Sequence, residues 1–338
     1  MASASIAVVA IVVVGAFLIL TKAAGSIVST EADSGTRSAQ VSVVNDTTAS
    51  GSKAVKFTAA PPVTGNCVGA ANTPGGPDPW GGCWPGPQNT GYPHGLPGDT
   101  RTPVTLTPYT GTCSVHSDMV IDSQIIDCGM DVYNNVTIRN SLITQPINTN
   151  SDTAHLTIID TEIDGGTSRY QSVGIGNLTL LRINAHNNQH AVHCNDTCDV
   201  RDSWMHDQYT VNTSDWHQNG YLSNGGNNHQ VVHNVAMCQG NCSGNITFIP
   251  DANSNNVLVD RNLFQYSPTS SYCFYGGDSF ETPTKTGIAT NMTVSNNIFM
   301  RGANGNCGQY GPVTAFNASR TGNQWINNKW DNGTLLTP

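Results

Sequence analysis

The chain has 338 residues and a net charge of −9, and only 11% of its residues are charged; Asn, Gly, Ser and Thr fill the deficit. An acidic chain without a basic patch is not a nucleic-acid binder, and the scarcity of Glu and Lys excludes a long coiled coil. Disorder throughout is excluded as well, because the 38% of hydrophobic residues recur in short β-branched runs.

Met1 to Thr21 carries no charge, and Ile6 to Leu20 reads IAVVAIVVVGAFLIL. Its length fits a signal-peptide core or, counted from Ala2, a bilayer span, and the first basic residue, Lys22, follows it. Residues 1–24 are therefore read as a signal peptide or a membrane anchor, with any membrane contact made through residues 1–21. Either reading places the rest of the chain outside the cytoplasm, secreted or anchored at the cell surface. Residues 25–60, rich in Ser, Thr, Ala and Asp without periodicity, read as a flexible linker. Residues 61–112 are too dense in Gly and Pro for regular structure and are expected to form an irregular cap in which Trp80, Trp84 and Tyr92 pack.

Ten cysteines, an even number in an exported chain, point to disulfides. Local spacing proposes Cys67–Cys83, Cys113–Cys128, Cys194–Cys198, Cys238–Cys242 and Cys273–Cys307. The rival is zinc, for which Cys194 and Cys198 lie near His190 and His193, and Cys238 and Cys242 near His233. An oxidising compartment favours the disulfides, so no metal site is assigned.

Within residues 113–338, read as one repeat domain, a pattern returns from residue 120 onward: an apolar residue, a polar one, Asn or Asp, then one or two apolar residues. It reads VIDSQII from Val120, TIRNSLI from Thr137, TIIDTEI from Thr157 and LVDRNLF from Leu258. Ile138, Ile158 and Leu180 are separated by 20 and then 22 residues, and later intervals are longer. Short strands repeating at this period signal a solenoid, since one unit cannot bury its apolar face alone. The inward column is expected to hold Ile121, Ile138, Ile158, Leu180, Val200, Val232, Val259 and Val294. Two residues on, Asn140, Asp160, Asp202, Asn234 and Asn296 are expected to stack at a bend as an amide ladder. A second strand family precedes each unit and includes Ala191-Val192-His193, Gly220-Tyr221-Leu222, Ile246-Thr247-Phe248 and Cys273-Phe274-Tyr275.

These repeats, the Asn turns, the NTGYP string from Asn89 to Pro93 and the run WHQNGYLSNGGNNHQVVHN from Trp216 resemble bacterial secreted right-handed parallel β-helix proteins of the pectate-lyase-like superfamily. The resemblance spans Pro85 to Pro338. It implies an all-β, right-handed parallel β-helix, and it leaves activity open, because such solenoids host lyases, hydrolases, epimerases, adhesins and phage receptor-binding parts.

Seven histidines, His186, His190, His193, His206, His217, His229 and His233, crowd into about two coils, beside the insertion between Asp207 and His229. Taking Val192 and Leu222 as inward, His193, Tyr221, Thr247 and Tyr275 would line one outer face, an aromatic and hydroxyl row suited to a sugar chain. His217, oriented by Asp215 or Asp207, is the first catalytic candidate, with His193 and His190 as alternatives on the preceding coil. Tyr221, Tyr275, His190 and Asp251 are the candidate substrate contacts. A lyase would need a cation from Arg169, Arg182, Arg201 or Arg261, or calcium held by Asp196, Asp199 or Asp251. A hydrolase would need two facing carboxylates from Asp207, Asp215, Asp251 and Asp278. The expected partner is an extracellular polysaccharide, bound by a lyase-like or hydrolase-like enzyme or by a non-catalytic adhesin or fibre component. No cofactor is required beyond possible calcium.

Overall fold

The computed structural model describes residues 41–45, 53–57, 67–167, 170–210, 217–278 and 287–338. The apolar run of residues 1–21 lies outside them, and no helix among the described residues is long and apolar enough to cross a membrane. Residues 1–61 form one unit and 62–338 another. Within the first, the segment read as linker contains two strands, Val41–Asn45 and Lys53–Phe57, paired antiparallel.

The second unit is a parallel β-helix. Each coil runs through three short strands that join three separate sheets, here A, B and C. Among the described residues these hold nine, nine and ten strands. One coil comprises Ile147–Thr149 in sheet A, His155–Ile159 in sheet B and Glu162–Asp164 in sheet C. The three sheets are parallel throughout, as stacked coils require. The strands of sheet C are mostly two or three residues long, too short to alternate visibly, so the sequence merges them with sheet B.

The corner from sheet B to sheet C is turned by one residue in the left-handed backbone conformation, such as Asn140, Asp160, Asp202 or Asn296. Asn and Asp tolerate this region better than other side chains with a Cβ. At the coil of His233 the expected column is wrong by one residue. His233, with φ 54°, takes the corner in place of Asn234. The inward column is Ile121, Ile138, Ile158, Leu180, Val200, Val231, Val259 and Val294, with Val231 in place of Val232. Two adjacent valines gave no alternation to read. Val232 faces outward yet is buried, because it borders a hollow formed with Trp80 and Asp78.

An amide ladder does exist, one position after the corner. Asn234, Asn262, Asn297 and Asn328 are buried and linked in series by Nδ2 to Oδ1 bonds of 3.0, 3.0 and 2.8 Å. Each amide also donates to a main-chain carbonyl of the preceding coil, as Asn262 does to Val231 at 2.8 Å.

Residues 67–101 run along the flank of the solenoid at the B–C corner, and Thr107–Pro108 then pairs with Gln124–Ile126 as the first strand of sheet C. Trp84 is fully buried against Val235, Leu263 and Ile298 of sheet C. Arg101 donates to Asp160 at 2.9 Å, and the Gly91 amide donates to the Arg182 carbonyl at 3.0 Å. All five expected disulfides are formed, which fits an extracellular, oxidising environment.

Candidate functional site

The register of sheet A sets one outward column: Ser114, Asp131, Asn148, Gly174, His193, Leu222, Thr247, Tyr275 and Thr314. Neighbouring positions are roughly 4.8 Å apart. His193, Thr247 and Tyr275 are thus aligned as expected, but Tyr221 is not among them. Tyr221 points inward and is fully buried, with its hydroxyl 2.7 Å from His229 Nδ1. The reading of Tyr221 as a surface contact fails because a polar hydroxyl can be buried when an inward partner receives it. Leu222 takes the outward place.

The column is open at one end and closed at the other. Asp131, Asn148 and His193 are partly accessible, whereas Leu222, Thr247 and Tyr275 are buried. Beside the open part lies a groove of about 730 Å³ lined by Asp131, Gln145, Asn148, Gly166 and Tyr170. Tyr170 is 68% exposed. Gly174 lowers the floor of the column, because a Cβ there would stand 2.9 Å from Gln171 Nε2. That amide instead donates to Asn148 Oδ1 at 2.7 Å. Sequence reasoning missed Asp131, Asn148 and Tyr170. The first two became visible only through the pairing register, and Tyr170 carried no signal.

Next along the column after Gly174 comes His193, with His190 on the same strand. The rings of His190 and His193 meet edge to face at 5.7 Å. The amide of Asn219 lies 3.2 Å from His190 Nδ1, and the Thr247 hydroxyl lies 2.9 Å from Asn219 Oδ1 and 2.8 Å from the Tyr221 carbonyl. Burial pushes the His190 pKa down to about 3, and the nearby His193 and His217 push the same way. Burial also lowers the pKa of His193, although its bonds to Asn224 and Asn195 and the charge of Asp251 partly offset this. His193 Nε2 lies 2.9 Å from Asn224 Oδ1. Both rings are therefore neutral near pH 7, and only His193 has neighbours that favour its protonated form.

His217 is exposed at the margin of this group, and its carbonyl accepts a 2.8 Å bond from Gln189. Asp215, its expected orienting partner, lies outside the described residues. Asp251 is exposed and close enough for its charge to act on His193. Tyr275 is 9% exposed, and its ring meets Tyr272 at 5.6 Å.

The other crowded histidines are elsewhere. His186 and His206 lie on sheet C with Glu162 and Asp207. His229 is in the core. His233 lies at the B–C corner between Asp202 and Asp78, at 2.6 and 3.2 Å. Burial opposes its proton, but the two carboxylates outweigh this and raise its pKa to about 9.

The cations and carboxylates do not assemble. Arg182, Arg201 and Arg261 pair with Asp160, Asp199 and Asp260 away from sheet A, and Arg169 is outside the described residues. Asp207 bonds His206 on sheet C, while Asp278, one coil on from Asp251 at the end of sheet A, pairs with Arg320. Among the described residues one group brings three metal-ligating side chains together: Cys194, Cys198 and His229. The two sulfurs are joined as a disulfide, and the His229 nitrogens face the Tyr221 hydroxyl and the Gly225 carbonyl. Among the described residues Asp196, Asp199 and Asp251, the suggested calcium ligands, are not gathered into a group of that kind. Comparison with protein families, characterised proteins and solved structures found no match to this chain.

Proposed function

We propose that the chain is an exported protein acting on extracellular polysaccharide, of the pectate-lyase-like kind, with the sugar chain lying along the outer face of sheet A. The observation that carries this reading is that the 730 Å³ groove, through Asp131 and Asn148, shares the outward column of sheet A with His193. Tyr170 offers a ring face for stacking, and Asp131 and Asn148 offer polar groups for hydroxyls at the groove floor. In a lyase-like or hydrolase-like reaction His193 serves as the base, because it is the partly accessible imidazole of the His190–His193 pair. Asn224 and Asn195 fix its ring, and Asp251 stabilises the charged form once a proton arrives.

A second reading, non-catalytic carbohydrate binding by an adhesin or fibre component, is favoured by the dispersal of the arginines and carboxylates. A product screen for new reducing ends and unsaturated ends on a panel of polysaccharides separates the two. The enzyme reading expects products from the wild type and a loss of roughly 10²–10⁴ in turnover in His193→Gln. Binding without products from any polymer would overturn it in favour of the second reading.

A further inference from the structure

At the B–C corner, remote from sheet A, a hollow of about 260 Å³ is lined by Trp80, Arg201, Asp202, His233 and Arg261, with Asp78 beneath. Its aromatic wall is unusual among the described residues. Trp84 is fully buried, and Trp204, Trp325 and Trp330 are half-buried, but Trp80 is 38% exposed. Trp80 is also rigidly held. Its amide and that of Gly82 donate to Asp78 Oδ1 at 2.7 and 2.9 Å, Asp78 Oδ2 meets His233, and the Cys67–Cys83 disulfide closes the loop. A fixed, exposed indole loses little conformational entropy when a ring stacks on it.

The polar walls state what kind of ring. Arg201 and Arg261 each use Nε to bond a neighbouring carboxylate, Asp199 and Asp260. Their terminal amino groups have no hydrogen-bond partner among the described residues and remain donors. Asp202 uses Oδ1 for His233 and keeps Oδ2 as an acceptor. Each arginine charge is already balanced, and Asp202 would repel an anion. Hydroxyl groups both donate and accept, so they satisfy this mixed set where an anion does not.

We propose that this hollow is a second saccharide subsite, taking one neutral pyranose residue of a polysaccharide, stacked on Trp80 and bridged through its hydroxyls by Arg201, Arg261 and Asp202. The proposal rests on the reading of the chain as a polysaccharide-acting protein but not on the sheet A groove.

The test is native electrophoresis of the full chain through gels containing galactomannan, mixed-linkage β-glucan or polygalacturonate, with affinity taken from the retardation. Wild type should be retarded by at least one neutral polymer. Trp80→Ala should weaken that affinity about tenfold and Arg201→Gln several-fold, with unchanged melting temperatures. Tyr170→Ala and His193→Gln should leave this contribution in place. Wild-type affinity in Trp80→Ala, or retardation by polygalacturonate alone, would overturn the subsite. If Tyr170→Ala loses binding while Trp80→Ala does not, the subsite falls and the groove stands. If Trp80→Ala alone loses binding, the subsite stands and the groove reading falls.

Discussion

The coils from Ser114 to Met205 and those from Gln218 onward solve the same stacking problem with different side chains. In the early coils the position after the B–C corner holds Gln124, Ser141, Thr161, Ile183 and Ser203. Each hydroxyl donates to its own strand and accepts one amide from the coil before, as Ser203 does with Arg201 and Ile183. In the late coils Asn takes that place, and each amide both donates and accepts along the column. The interior changes in step. Early coils bury Ile, Val and Leu, whereas late coils bury Tyr221, Phe248, Phe264, Phe274 and Phe299. Phe264 and Phe299 stack at 4.2 Å, nearly parallel. The outer face of sheet A is open in the early coils and closed at Leu222, Thr247 and Tyr275. A half with an amide ladder and an aromatic core thus adjoins a half with an aliphatic core that carries the accessible groove.

The largest effects should come from the late half and the flank. Phe264→Ala should cost about 3–5 kcal/mol, since it removes one of two stacked rings from a closed core. His233→Ala should cost a similar 3–5 kcal/mol, because it leaves the buried Asp78 carboxylate without its partner. Both are read from denaturant midpoints. In the early half Ile158→Ala should cost about 2–5 kcal/mol. If Phe264→Ala proves cheaper than Ile158→Ala, the contrast between the halves is lost.

Smaller changes sharpen the contrast. Asn262→Ala should cost about 1–3 kcal/mol by leaving buried neighbours unpaired. Ser203→Ala, with one hydroxyl of the same column, should cost less. The His233 clamp also has a defined pH window. Its folded pKa of about 9 lies above the unfolded value near 6.5, so its stabilisation is complete below about pH 6.5 and is lost as pH rises through 9. Burial works against the Asp78 carboxylate, but its bonds to His233 and to the Gly82 and Trp80 amides hold its pKa below the usual value. That contribution is present above about pH 4 and fades as the pH falls further. The melting-temperature gap between wild type and His233→Gln should therefore be widest near pH 5–6 and narrow toward pH 10. A gap that widens with rising pH would refute the clamp.

The fold was legible because stacking demands repetition. Ile121, Ile138, Ile158, Leu180 and Val200 recur at intervals that only a solenoid satisfies, and the disulfides followed from spacing. What misled was one-residue register after the insertion that ends near His217. Val231 and Val232 are both apolar, and Asn234 stands beside His233, so neither the inward column nor the corner could be placed by alternation alone. Tyr221 was misplaced because its buried partner, His229, is contributed by the next strand. The histidine cluster was real in sequence but divides among sheet A, the core, sheet C and the B–C corner. Chain proximity within a coil does not specify which of three faces a side chain meets.

The central claim is that polysaccharide engages the open half of sheet A. The direct measurement is hydrogen–deuterium exchange of the full chain by mass spectrometry, with and without a polysaccharide that the protein retains. Protection is expected in peptides covering Gly129 to Asn148 and Tyr170 to His193, in addition to any at Trp80. Protection confined to peptides covering Cys242 to Gly276, or no change anywhere on sheet A, would contradict the account.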